Sequence, residues 1–77
     1  MNAHRRFFEH VDANRYTEAL MEPGLGHIVH APRKPGDPHV CHLITDLGTM
    51  TGEGSTAMQA LRNAASRFRH ALRGATR

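Results

Sequence analysis

Histidine is the residue type that most directly suggests chemistry here, because seven of the 77 residues are histidines. Imidazole nitrogens are common ligands of zinc, and a neighbouring thiolate often completes such a site. The spacings His27-x-x-His30 and His39-x-Cys41-His42 look like ligand pairs. On β-strands, residues an odd number apart point to opposite faces, so neither pair of histidines can chelate a metal. We predict no metal site and no cofactor.

Two further arrangements bring a histidine near another reactive group. His30 and His42 are expected to approach each other across neighbouring strands on the outer face of the sheet, where two imidazoles alone make a weak metal site. Cys41 with an adjacent histidine suggests a nucleophilic pair, but strand alternation places its thiol on the core face, where a buried thiol is inert. The sequence therefore predicts no catalytic residues and no enzyme.

Arginine dominates the charge of the chain. Ten Lys and Arg residues against seven Asp and Glu residues give a net charge of +3 and a pI near 10.0, and nine of the ten are arginines. Guanidinium groups bind phosphates and carboxylates through paired hydrogen bonds. We expect the partner-binding surface to comprise a line of three arginines on the C-terminal helix together with two near the N-terminus: Arg62, Arg69, Arg73, Arg5 and Arg6.

The helix that carries this line of arginines is the best defined element of the sequence, Gly52–Arg73. Ser55 and Thr56 are good N-cap residues, and Gln59 completes a capping box. We expect Gly74 to end the helix. At 100° per residue an apolar stripe faces the core, formed by Leu61, Ala65, Phe68 and Leu72 with Met58 and Ala64 at its edges.

The elements before this helix predict a two-layer α-β-β-β-α domain with an antiparallel sheet packed on the C-terminal helix. The first helix covers Ala3–Val11 and breaks at residues 12–14, and Arg15–Met21 fits either a helical turn or a strand, of which we favour the strand. Strands follow at His27–Ala31, at His39–Thr45 and, briefly, at Thr49–Thr51. Pairing Ala31 with His39 in a hairpin places Val29, Ala31, Cys41 and Leu43 on the core face and Ile28, His30, Val40, His42 and Ile44 on the other.

Length and cysteine content limit the remaining possibilities. A single domain of 77 residues buries only about 60% of its unfolded surface, so a homodimer is an open alternative. One cysteine, Cys41, excludes an internal disulfide and fits the cytoplasm. No apolar run approaches the ~20 residues of a membrane span, and the N-terminus lacks the apolar core of a signal peptide.

The run Gly52-Glu53-Gly54-Ser55-Thr56-x-x-Gln59-Ala60-x-x-Asn63-Ala64-Ala65 resembles the end of a double-stranded-RNA-binding domain. The α-β-β-β-α order also fits that family, and the resemblance implies binding to duplex RNA. The lysines that contact phosphates in the family are missing, because their positions hold Ala57, Met58 and Leu61. Other arginines of the helix would have to bind phosphate in a different register.

A second resemblance is to HicB-type antitoxins. Asp46-Leu47-Gly48 followed by Gly54-Ser55-Thr56-x-x-Gln59-Ala60-Leu61 is similar to a strand end and helix start in that family, over about a quarter of the chain. It implies a protein-directed inhibitor. An unrelated small α+β domain is an equal alternative to both families.

Three functional hypotheses follow. The first is a non-catalytic binding module that docks RNA, DNA or a protein that handles nucleic acid. The second is a small inhibitor, either HicB-like or a stand-alone protein that occludes a nucleic-acid-processing complex. The third is a metal-dependent enzyme, which metal analysis of the tag-free protein would test.

Overall fold

The computed structural model describes residues 4–75, which form three helices and three strands. In chain order these are α1 (Arg5–Asp12), α2 (Tyr16–Leu20), β1 (Gly26–His30), β2 (His39–Thr45), β3 (Gly48–Gly54) and α3 (Ala57–Ala75). The predicted α+β class, with an antiparallel sheet packed on the C-terminal helix, is confirmed. The observed order contains one helix more than the sequence predicted.

The sheet has the strand order β1-β2-β3, and both neighbouring pairs are antiparallel. Val29 pairs with Cys41, and Cys41 pairs in turn with Gly52, so the predicted hairpin register is confirmed. Cys41 and Leu43 are buried beneath α3, whereas Ile28 and Ile44 on the other face are almost half exposed. Period-two alternation in β2 therefore gave the correct inner face. The prediction that Val29 and Ala31 belong to the core is wrong, because α3 packs on β2 and β3 and leaves Val29 45% exposed and Ala31 exposed.

Strand β3 is longer than expected, because it covers seven residues rather than Thr49–Thr51 alone. Its glycines explain how α3 approaches so closely. A Cβ atom at Gly52 would collide with the backbone of α3 at Ala60 and Ala64, both of which are buried. The run Gly52-Glu53-Gly54 therefore serves the close packing of α3 on β3.

Helix α3 has the predicted Thr56 N-cap but not the predicted capping box, because the side chain of Gln59 donates from Nε2 to Oδ1 of Asn63 at 3.5 Å. The hydroxyl oxygen of Thr56 accepts a hydrogen bond from the backbone N–H of Gln59 at 3.0 Å, which satisfies one of the unpaired N–H groups of the first turn. The prediction that Gly74 ends the helix is wrong, because α3 continues to Ala75. Gly74 does not adopt the left-handed conformation of a glycine C-cap.

The core lies where α3 meets the sheet and α1. Phe68 is completely buried, and its ring lies 6.3 Å from the Phe7 ring and 5.7 Å from the Phe8 ring, measured between centroids. The predicted stripe of α3 is confirmed, with Leu61, Ala64, Ala65 and Phe68 buried and Met58 and Leu72 packed at its margin.

Residues 16–20 form a helix, so the favoured prediction of a strand over Arg15–Met21 is wrong. Helical spacing places Tyr16 and Leu20 on one side of α2, where both pack against the core, and Ala19 is buried there. The predicted break before it is confirmed, because Asn14 adopts a left-handed conformation with φ of 60°. Ala3 of the predicted first helix lies outside the described residues.

Candidate partner-binding surface

The three arginines predicted to form a line on α3 run along the side of this helix that meets α1 and the α1–α2 turn. Arg62 donates a hydrogen bond from Nη2 to Oδ1 of Asn14. Nη2 of Arg69 lies 3.5 Å from Oδ2 of Asp12, where it makes an ion pair. Two members of the line therefore hold α3 to the N-terminal part of the chain, and Arg73 is exposed in the last turn of α3.

Arg5 and Arg6, the other predicted partner-binding residues, lie on α1 and have carboxylate partners. Arg5 Nε lies 3.1 Å from Oε2 of Glu9, one helical turn later. Arg6 Nε lies 3.8 Å from Oε1 of Glu22, which follows α2. Both arginine side chains are largely exposed, so these pairs are screened by water and each contributes little to stability.

The sequence prediction missed Arg67, which lies two positions before Arg69 and therefore at the other margin of the exposed surface of α3, about 200° round the helix. Within residues 4–75 its side chain makes no hydrogen bond or ion pair. Arg67 instead lines a wide groove between α3 and the outer edge of β3, with a volume of about 880 Å³. The groove is formed by Thr49, Met50, Thr51, Gly52, Glu53, Asn63, Ser66 and Arg67.

The β3 side of this groove is an unpaired strand edge, since β2 is the one strand of the described part of the chain that pairs with β3. The side chain of Asn63 donates from Nδ2 to the backbone oxygen of Glu53 at 2.5 Å, so that carbonyl points away from β2. In an antiparallel strand, the N–H and C=O of alternate residues point to the same edge. The N–H and C=O of Thr51 therefore also face the groove.

On the outer face of the sheet, His30 and His42 lie close together, as the sequence predicted. The rings of His30 and His42 lie edge to face with centroids 5.4 Å apart. His42 is held by a hydrogen bond of 2.8 Å between its Nδ1 and the hydroxyl of Thr51. Within the described part of the chain, no three His, Cys, Asp or Glu side chains come together as metal ligands.

Cys41 is completely buried, as strand alternation predicted. Burial raises the pKa of its thiol to about 11, because the thiolate would lose its solvation in the core. Burial also raises the pKa of Tyr16, with a smaller contribution from the nearby Cys41. A thiol in this state does not act as a nucleophile near neutral pH.

The positions that carry phosphate-binding lysines in double-stranded-RNA-binding domains are part of the packed interior here. Leu61 is completely buried, and Ala57 and Met58 are half-buried at the start of α3. Leu61 therefore belongs to the core and Met58 packs against it, and none of the three positions offers charge to a phosphate. Any contact of α3 with an anion has to come from its exposed arginines.

Comparison of the chain with protein-family models, with characterised proteins and with solved structures gave no match. Among residues 4–75, no helix is both long and apolar enough to cross a membrane. The function is consequently inferred from the geometry of this surface alone.

Proposed function

We propose that this protein is a non-catalytic binding module that docks an acidic partner through the exposed side of α3. The observation that carries the proposal is the charge of this helix, which has four arginines, one histidine and no Asp or Glu in 19 residues. Asp12 forms an ion pair with Arg69, but the partner of Arg62 is a neutral amide. Arg67 has no partner within residues 4–75. Positive charge that the fold leaves uncompensated favours an anionic partner.

Nucleic acid, or a protein that handles nucleic acid, supplies such a partner, and a cytoplasmic location belongs to the same proposal. Arginine suits both, because its guanidinium pairs with phosphate and with carboxylate. The resemblance to double-stranded-RNA-binding domains stays a prediction. If duplex RNA is the partner, the buried Leu61 means that Arg62, Arg67 and Arg73 would have to bind the phosphates.

The test is a titration of labelled duplex RNA, duplex DNA and poly-glutamate against the protein over a range of salt concentrations, followed by fluorescence anisotropy. Binding to phosphates predicts that the logarithm of the affinity falls linearly with that of salt, by ~0.9 for each phosphate contacted on duplex DNA. The double variant Arg62→Ala/Arg67→Ala is expected to weaken binding and flatten this dependence. Arg69 is retained in the variant because it makes both an ion pair with Asp12 and a cation–π contact with Phe8, whereas Arg62 makes a single hydrogen bond to Asn14.

A matched control is Arg33→Ala/Lys34→Ala, which removes the same charge from the exposed loop between β1 and β2. Equal weakening by both double variants would mean that net charge, and not the α3 surface, governs binding. Absence of binding to all three probes at low salt would contradict the proposed function.

The groove beside β3 favours a second candidate, a protein-directed inhibitor that occludes a nucleic-acid-processing complex. An unpaired strand edge recognises polypeptide rather than duplex nucleic acid. This candidate predicts that a protein co-purifies while nucleic acids do not bind. The HicB-type resemblance belongs to this candidate and stays a prediction.

A further inference from the structure

We propose that β3 binds an extended acidic segment of a partner protein, which adds to the sheet as a fourth strand next to α3. The inference rests on the proposed function in one respect, the acidic partner, and it names the class of that partner. Strand addition is a common mode of peptide recognition, in which backbone hydrogen bonds supply affinity and alternate side chains supply specificity.

The edge of β3 has backbone groups that can form hydrogen bonds with an added strand. Thr51 directs its backbone N–H and C=O into the groove, where no strand among residues 4–75 meets them. At the next outward-facing residue, the carbonyl of Glu53 is already bonded to the side chain of Asn63. Asn63 therefore closes one end of the edge, and an added strand would pair around Thr51 and towards Thr49.

The groove beside this edge has room for an added strand. Gly52 holds α3 directly on the inner face of β3, so α3 forms one wall of the groove and the strand edge forms the other. Side chains of an added strand would point alternately towards α3 and towards the outer face of the sheet. Those that point towards α3 would meet Asn63, Ser66 and Arg67, which are all polar.

The charge of Arg67 favours an acidic residue in the added strand. Arg67 contributes an uncompensated positive charge to the groove, and His70 lies beside it with Ser66 and Ala71 along the continuation of the same helix face. Glu53, at the end closed by Asn63, would repel an acidic residue there. The structure therefore assigns a register in which Asp or Glu of the bound segment faces Arg67 and a neutral or basic residue lies near Glu53.

Charge also argues against a second copy of this chain as the occupant. Antiparallel pairing of two β3 strands would place two α3 helices side by side on one face of the joined sheet. The side of each α3 that lines the groove carries Arg67 and no carboxylate, so the two adjacent helix sides would repel each other. An acidic segment of a different protein supplies the carboxylate that Arg67 does not have within residues 4–75.

The experiment is selection of a displayed library of random seven-residue peptides, the length of β3, against the whole protein at low salt. The expected result is enrichment of Asp or Glu at one end of the peptides. In the complex, the backbone N–H of Thr51 should gain protection from hydrogen exchange. Failure of this amide to gain protection would overturn strand addition.

Substitutions at Thr51 test the pairing of the added strand, and substitutions at Arg67 test the preference for an acidic segment. Thr51→Pro removes the outward N–H but no bond to β2, and proline is tolerated on edge strands, so we expect roughly tenfold weaker binding of the selected peptides. Thr51→Val keeps that N–H and loses only the hydroxyl, and it should bind as the wild type does. Should Thr51→Pro fail to fold, the exchange of the Thr51 amide in the wild-type complex decides the question.

Arg67→Glu should also weaken the selected peptides roughly tenfold, whereas Arg33→Glu, the same charge change in the loop between β1 and β2, should not. Acidic peptides that lose affinity in Arg67→Glu but bind Thr51→Pro normally would overturn strand addition and leave the proposed function standing. Selection of peptides without acidic residues would overturn the assigned partner. A dimer in sedimentation that Thr51→Pro dissociates would assign the edge to a second copy and overturn the proposal.

Discussion

The guanidinium carbon of Arg69 lies 4.5 Å from the centroid of the Phe8 ring. Phe8 belongs to α1 and is buried, while the Arg69 side chain is part-exposed and also reaches Asp12, one turn further along α1. A single side chain of α3 thus makes a cation–π contact and an ion pair with the same neighbouring helix. Arg69, which the sequence predicted to bind a partner, has a structural role in this fold.

We expect Arg69→Ala to lower the free energy of unfolding by about 1 kcal/mol, since it removes a partly shielded cation–π contact and an exposed ion pair. Urea denaturation at neutral pH measures the change. Arg67→Ala is the matched control, because it removes the same charge from α3 at a site without such contacts, and it should change stability by less than about 0.5 kcal/mol. An equal loss in the two variants would show that the contact with Phe8 contributes nothing.

Two glycines give opposite predictions for the same substitution. Gly52→Ala would drive a methyl group into the backbone of α3 near Ala60 and Ala64, so we expect destabilisation of at least about 2–3 kcal/mol. Gly74→Ala meets no atom within 4 Å and lies in α3 with helical backbone, so it should stabilise the protein by up to about 1 kcal/mol. Thermal unfolding followed by circular dichroism measures both. A Gly52→Ala protein as stable as the wild type would refute the close helix–strand packing described above.

Those parts of the fold that depend on a long, regular pattern could be predicted from the sequence. Strand β2 alternates over seven residues, and α3 combines the Thr56 cap with an apolar stripe, so both elements and the inner face of β2 were correct. Helix α2 has only five residues, too few for a helical period to distinguish it from a strand. Its helical state depends on tertiary burial of Ala19, which local sequence does not encode.

The candidate site was less predictable than the fold, because the state of an arginine depends on residues distant in sequence. Arg62 is bonded to Asn14, 48 positions away, and Arg69 to Asp12, 57 positions away. The helical wheel grouped these arginines by their side of α3 and could not show that α1 and its turn occupy that side. Arg67 was missed because it lies apart from this line on the helical wheel. The absence of Asp and Glu from α3 is visible in the sequence and indicates that its positive charge has no partner within the helix.

Asn14 provides a prediction about the turn between α1 and α2. Its φ of 60° is costly for alanine, and its amide oxygen accepts the hydrogen bond of Arg62, so Asn14→Ala should destabilise the protein by about 2 kcal/mol. Asn14→Gly keeps the backbone conformation accessible and should cost about half as much. In the Asn14→Gly background, Arg62→Ala should cost nothing further, because the bond is already lost. Additive losses in that double variant would contradict a direct bond between the two side chains.

The buried thiol of Cys41 makes the stability of the protein depend on pH. Burial raises the pKa of its thiol in the folded protein from 9.0 to about 11, so the unfolded chain loses the thiol proton at lower pH than the folded protein does. The contribution to the free energy of unfolding is fully present below pH 9.0 and falls as the pH rises to about 11, by ~3 kcal/mol. Urea denaturation at several pH values across this window measures the loss.

Tyr16 has to be separated from this effect, because its pKa is also raised and it titrates with the same sign. Tyr16→Phe should keep most of the loss, whereas Cys41→Ala should remove most of it at the cost of a smaller core side chain. The folded protein should also react slowly with a thiol reagent near neutral pH and rapidly once unfolded in urea. A Cys41→Ala variant that keeps the full pH dependence, or a thiol that reacts equally fast in both states, would show that Cys41 is not buried as described.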